Sequence, residues 1–301
     1  MELTPTFNAA EAPWQRFVRN YFGSRIATAG FALLVLIVLA AIFAPVISPQ
    51  NPYDLAKLDV MDSRLEPGQK SVDGSLTYLL GTDDQGRDML SAILYGVRIS
   101  VMVGVVSTII ALSLGLTLGL LAGYAGGRIE AFIMRIADIQ LSFPPILIAL
   151  ILLALTGRGI DKIIIALVAV QWAYYARTTR SAALVERKKE YIEAATALGL
   201  SPLRIMFRHL LPNCLPPLIV VAALQVASAI SLEATLSFLG LGLPITEPSL
   251  GLLIANGFQY LLSGKYWISV FPGIALLVTV VTINLVADQL RDVLNPRLQT
   301  Q

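Results

Sequence analysis

The chain has 301 residues, 56% of them apolar and 14% charged, with a formal net charge of +2 and a mean hydropathy of +0.72. Soluble domains carry roughly 25% charge, so water is not the main solvent of this surface. A charge of +2 gives no electrostatic footprint for nucleic acid. One cysteine, Cys214, and one histidine, His209, exclude an intrachain disulfide and any metal-ligand set of the usual His/Cys type.

Six uncharged runs follow one another, at 26–53, 99–127, 139–157, 163–176, 210–232 and 266–287. A bilayer core of roughly 30 Å takes about 20 helical residues. Five of the runs reach or approach that length. The short fourth run has Asp161 and Lys162 at one end and Trp172, Tyr174 and Tyr175 at the other, so snorkelling and an aromatic belt complete it. The expected fold is an all-α polytopic bundle of six transmembrane helices.

Residues 1–27 read as a cytoplasmic N-terminal segment with a short amphipathic piece (Trp14, Phe17, Val18, Tyr21, Phe22) suited to a membrane surface. Residues 28–47 form the first transmembrane anchor. Its run is too long for a signal-peptide core and no A-x-A site follows. Residues 48–97 form an extracytoplasmic loop rich in Pro, Asp and Gly. Within it, Thr82 and Asp83 have the chemistry to cap the helix that enters the second span, and Gly81 and Gly86 permit tight turns. Asp83, Asp84 and Asp88 have cation-ligand chemistry too, but turn and cap roles suffice, so no metal is assigned.

Residues 98–288 are the transport core. Its first helix carries Ser107, Ala111, Gly115, Gly119 and Gly123, each four apart and therefore on one face. Such a stripe lets backbones approach closely, within the chain or against another subunit. Arg135 and Asp138, three apart, are placed to pair on one helix. Glu233 lies well along the fifth span. An intramembrane carboxylate faces a cavity, a partner or an interface, so Glu233 is a pathway candidate, with Gln225 and Asn284 beside it. Gln171, Ser228 and Ser231 are read as interhelical hydrogen-bonding groups. Residues 289–301 form a cytoplasmic tail.

The loop 177–211 is charged and helical in pattern. Gly199 can stop a helix in a left-handed cap, Ser201 can start the next, and Pro202 fits its first turn. Glu193 offers an acceptor, and Ala194 and Ala195 leave a low surface for close docking. With both termini cytoplasmic, inside segments hold fourteen of the 22 Lys and Arg and outside segments eight. The positive-inside rule favours that orientation. Chemistry is absent: the only Gly-Lys, Gly264-Lys265, precedes Tyr266 and lacks a P-loop's first glycine, and neither H-E-x-x-H nor G-x-S-x-G occurs. The chain is read as a non-enzyme without a cofactor.

Glu193-Ala194-Ala195…Gly199, followed by His209, Leu211 and Pro212, resembles the coupling motif of ABC-importer permeases. The family pattern often has an aliphatic residue at His209, which is read here as a docking or packing group. Leu80-Gly81-Thr82-Asp83…Gly86-Arg87-Asp88, the segment Leu236 to Gly242, and Phe271-Pro272-Gly273 with Asn295-Pro296-Arg297 resemble the dipeptide/oligopeptide permease branch. The Pro-rich exit from the anchor (Pro45, Pro49, Pro52) resembles its C-type subunit. The resemblance implies a type I importer bundle with a cytoplasmic coupling helix in a bacterial inner membrane. It also implies a sister permease, two cytoplasmic subunits that hold ATP and Mg, and an extracytoplasmic solute-binding protein. The cargo it implies is di- or oligopeptide; nickel complexes, glutathione or opine-like solutes are carried by similar permeases. A rival of another class, a secondary transporter driven by an ion gradient, would leave the charged inside loop without a task.

Overall fold

The computed structural model describes residues 13–54, 58–244 and 246–294. In chain order its helices are α1 (Pro13–Phe22), α2 (Arg25–Ile47), α3 (Met89–Ala125), α4 (Gly127–Leu141), α5 (Pro145–Thr156), α6 (Ile160–Glu186), α7 (Glu190–Ala197), α8 (Pro202–Phe238), α9 (Leu250–Phe258) and α10 (Trp267–Leu294). The motif at 295–297 lies outside the described residues.

Helices α2, α3, α8 and α10 are long and apolar enough to cross a bilayer, and α4 with α5 passes as one span bent by 91°. Among the described residues length and composition thus give four spans, or five with the bent pair, and not the expected six. The third run, read as one helix over 139–157, is broken at Ser142–Pro144. Pro144 has no amide hydrogen and pushes Phe143 out of the α region. The other shortfall is α6. Its 27 residues include Arg177, Arg180 and Glu186 among the last ten, which lowers its hydropathy.

Geometry sets α6 alongside α3. Gly115 meets Trp172 and Tyr175, Gly119 meets Ala176 and Thr179, and Gly123 meets Arg180 and Ala183. Both numbers rise together, so the helices run parallel. A Cβ on Gly115 would stand 2.4 Å from the Trp172 carbonyl oxygen, and one on Gly119 equally close to that of Ala176. The small-residue stripe therefore serves intrachain packing. Gln140 ties the bent pair to α6: its amide nitrogen donates to the carbonyls of Ala169 and Val170, and its oxygen accepts from Trp172 Nε1 at 2.6 Å.

The short helix α9 was not foreseen. It is wedged between α8 and α10 by two close glycine contacts, Gly251 on the Ala234 backbone and Gly257 on that of Ile268. α1 is amphipathic as read: Phe17 and Tyr21 pack on Ala27 and Val293, and Trp14, Val18 and Phe22 face out. Gln289 donates to the Asn20 carbonyl, so α1 sits beside the end of α10, opposite the loop that holds Trp267.

Candidate functional site

The element between α6 and α8 is built locally, as its residues dictate. α7 ends at Gly199, whose φ of +72° is the left-handed cap. Ser201 then precedes Pro202 in the first turn of α8. Ile192 and Ala195 are buried in one cluster with Ile205, Met206 and Leu210. Burying a side chain such as Ile192 contributes about 1.5–3 kcal/mol, enough to hold a short helix that has little stability alone. Glu193 and Ala194 face out, as do Leu198, Leu203 and Phe207. The two alanines part company because successive helical residues are turned by about 100°. Only Ala194 is left on the open face.

The first turns of α8 are wound as a π-helix over Ile205–Leu210, which takes in His209. Leu211, Pro212, Pro216 and Pro217 follow. Pro212 cannot donate to the Arg208 carbonyl, so the α pattern fails there and the Leu211 amide reaches back to the Met206 carbonyl instead. Half-buried His209 gives its carbonyl to Asn213 Nδ2 at 2.8 Å.

A polar relay missed by sequence reasoning joins three helices here. Tyr191 Oη donates to Glu186 Oε2 at 2.8 Å and accepts from Asn213 Nδ2 at 3.1 Å. Lys189 Nζ pairs with Glu186 Oε1 at 2.6 Å. Burial first, and then Glu186, pushes the Tyr191 phenol up to about 12, so it stays a donor at neutral pH. On the other side Arg187 lies 5.6 Å over the Tyr124 ring and reaches the Gly123 carbonyl at 3.5 Å. Between that contact and α7 lies a cavity of about 620 Å³, lined by Tyr124, Arg187, Ile192, Glu193 and Thr196.

At the opposite end the Gly81–Asp88 segment forms a buried knot. Asp88, not Thr82 or Asp83, caps α3: its Oδ2 accepts from the Ser91 amide at 2.8 Å and from Ser91 Oγ at 2.6 Å. Asp83 instead pairs with Arg87 Nε at 2.6 Å, both side chains fully buried. Thr82 Oγ1 donates to the Asp62 carbonyl and accepts from the Leu65 amide, and its own carbonyl accepts from Trp267 Nε1 at 3.1 Å. Gly81 and Gly86 are both at positive φ, and a Cβ on either would strike a backbone oxygen. The motif thus clamps the loop before α3 to the first turns of α3 and α10.

Within the membrane part, Glu233 is fully buried and accepts from Ser100 Oγ at 3.0 Å and Ser237 Oγ at 2.7 Å. Gln171 accepts from Thr108 at 3.3 Å, which bridges α6 to α3, and Ser231 bonds its own helix at Ala227. Gln225 and Asn284 are half-buried, on α8 and α10, with no side-chain hydrogen bond to a described residue. The expected Arg135–Asp138 pair is not formed. Asp138 is taken by Arg177 of α6, and Arg180 takes Glu130. These charges line an open cleft between α4 and α6.

The family model described as the binding-protein-dependent transport system inner membrane component matches residues 115–300, and that of the N-terminal TM domain of oligopeptide transport permease C matches residues 12–67. The dipeptide transport system permease protein DppC of Escherichia coli strain K12 is 41% identical over 287 residues, 95% of this chain and 94% of that one. A di/tripeptide transport system permease protein of Pseudomonas aeruginosa is 39% identical over 286 residues, 95% and 91% of the two chains. A chain of the MetNI methionine ABC transporter, in inward-facing conformations, matches in fold with a TM-score of 0.57 and 23% identity, over 69% of this chain and 98% of that chain.

Proposed function

This chain belongs to the binding-protein-dependent transport system inner-membrane components, and we propose that it is the C-type permease of an ATP-driven importer of di- or oligopeptides. The peptide cargo is supported by the names of its relatives. The observation that carries the mechanism is the element around α7: a helix gripped by the core on one face and presenting Glu193, Ala194, Leu198 and Leu203 on the other, in a chain without a P-loop. That open face docks onto a cytoplasmic ATP-binding subunit. ATP and Mg belong to two such subunits, and a sister permease completes the pathway. A solute-binding protein delivers peptide to the outer face, where the knot at Gly81–Asp88 is. Both termini are cytoplasmic, which agrees with α1, the end of α10 and α7 lying away from that knot.

Closure of the ATP-binding subunits shifts α7, and the shift reaches α6 through Glu186, α8 through Asn213 and α3 through Arg187. Two access states populated in turn suffice, with no covalent chemistry on peptide. Glu233, satisfied by two serines, is read as a brace between α3 and α8, and Gln225 and Asn284 keep the uncommitted polar groups that a pathway needs. The test is co-purification with uptake. The tagged chain is expected to bring down an ATPase in mild detergent, and Glu193→Lys to abolish that together with peptide uptake. A Glu193→Lys chain that assembles and imports normally would remove the docking role.

A further inference from the structure

The cleft between α4 and α6 has a volume of about 660 Å³, within the usual range for small-molecule sites of about 300–1,000 Å³. Its wall carries two carboxylates, Glu130 and Asp138, against three guanidiniums, Arg135, Arg177 and Arg180. Arg180 is neutralised by Glu130 and Arg177 by Asp138. Arg135 is exposed and makes no ion pair with a described residue, so the surplus positive charge is its own.

Two features say what covers this face. Arg135 stands about 12 Å along α4 from Gly127, and Asp138 about 16 Å, at 1.5 Å per residue. Ionised groups within a spanning element face protein or a water-filled cavity, not acyl chains. One turn further, the exposed backbone of Ser142–Pro144 is non-helical, and Ser142 Oγ is turned back onto the Asp138 carbonyl at 2.7 Å. Irregular backbone is tolerated in a membrane only inside protein or along a water-filled cavity.

We infer that this cleft is a carboxylate site on the translocation pathway, in which Arg135 receives the C-terminal carboxylate of the transported peptide. The inference rests on the permease reading above. The guanidinium fork suits a carboxylate bidentately. The two flanking pairs are already neutral, so they shape the cleft without competing for the anion.

The test uses the assembled complex of both permeases and both ATP-binding subunits in phosphatidylcholine nanodiscs, without binding protein or nucleotide. Ser181, exposed in the same cleft, is changed to Cys in a Cys214→Ala background, and labelling by N-ethylmaleimide is timed. Alanyl-alanine is expected to slow labelling, and its C-terminal amide is not. Arg135→Gln should raise the half-protecting dipeptide concentration about tenfold, the loss typical of one charge-assisted hydrogen bond, and Arg135→Lys should restore most of it. A residue that merely shaped the cleft would not separate acid from amide. Equal protection by the amide, unchanged protection in Arg135→Gln, or no protection at all overturns the inference. Protection that depends on added phosphatidylglycerol also overturns it, in favour of a lipid headgroup. Failure of the chain to co-purify with an ATPase would instead sink the permease reading, whereas a complex that assembles and imports without peptide protection sinks the carboxylate site alone.

Discussion

Asp83 and Asp84 are adjacent and of one chemical type, yet the fold treats them oppositely. Asp83 is buried with Arg87, and its Oδ1 also accepts from the amides of Gln85 and Arg87 at 2.8 and 2.9 Å. Asp84 has a buried Oδ1 without a hydrogen-bond partner, and burial, then the Asp83 charge, holds its carboxyl above the usual range. Asp83→Asn therefore strands a buried guanidinium without its carboxylate, at a cost of about 3–5 kcal/mol. Asp84→Asn should stabilise the knot at neutral pH. The sign follows from linkage: a carboxyl whose folded pKa is raised disfavours the fold once ionised, so the penalty grows as pH rises past the unfolded value and vanishes below it. The advantage of Asp84→Asn should fade on acidification. Trp267, bonded to the Thr82 carbonyl, makes tryptophan emission during unfolding a usable readout. Midpoints that move in the same direction for both variants would contradict this assignment. The signature itself was legible in sequence, but the division of labour within it was not. It depends on Asp62 and Trp267, which only the tertiary fold brings to Thr82.

Between elements, α7 is the piece whose hold on its neighbours matters most. Ile192 and Ala195 grip the core through apolar contact, which has little direction, whereas the Glu186–Tyr191–Asn213 relay fixes where α7 sits relative to α6 and α8. Tyr191→Phe keeps the ring and deletes both hydrogen bonds. Each is worth about 0.5–1.5 kcal/mol, so the unfolding midpoint should move little. Peptide taken up per ATP hydrolysed in the reconstituted complex should fall severalfold. Asn213→Ala should do the same, and the double variant should add little, because the two bonds share one hydroxyl. Uptake and hydrolysis falling in parallel would reduce the relay to a merely structural contact. The helix–Gly turn–helix plan of this region was legible because caps and prolines act on their own neighbours. The relay was not, since a tyrosine beside a charged stretch has no local signature. The same contrast explains the third run: Pro144 and Pro145 stand in it plainly, but apolar length outweighed them in the reading.

For the whole molecule, the course of α6 decides on which side of the membrane α7 lies. Hydropathy leaves α6 out of the span count, while it packs parallel along α3, itself a span, over Gly115, Gly119 and Gly123. At about 1.5 Å per residue its 27 residues extend about 40 Å, longer than the hydrocarbon core. Glu186 then lies at the membrane boundary, while Arg177 and Arg180, each paired with a carboxylate of α4, lower hydropathy without preventing a crossing. Removing Cys214 gives a cysteine-free chain, so single cysteines can be placed at exposed Asp161, Val185, Leu198 and Leu79. An impermeant maleimide added to intact spheroplasts should label Leu79→Cys in the outer knot and Asp161→Cys at the start of α6. It should reach Val185→Cys and Leu198→Cys only after permeabilisation. Labelling of positions 161 and 185 from the same side would take α6 out of the membrane, move the coupling element to the wrong face and undo the docking reading with it. The opposite pattern adds to four long spans and a bent one the sixth crossing that the docking reading of α7 requires.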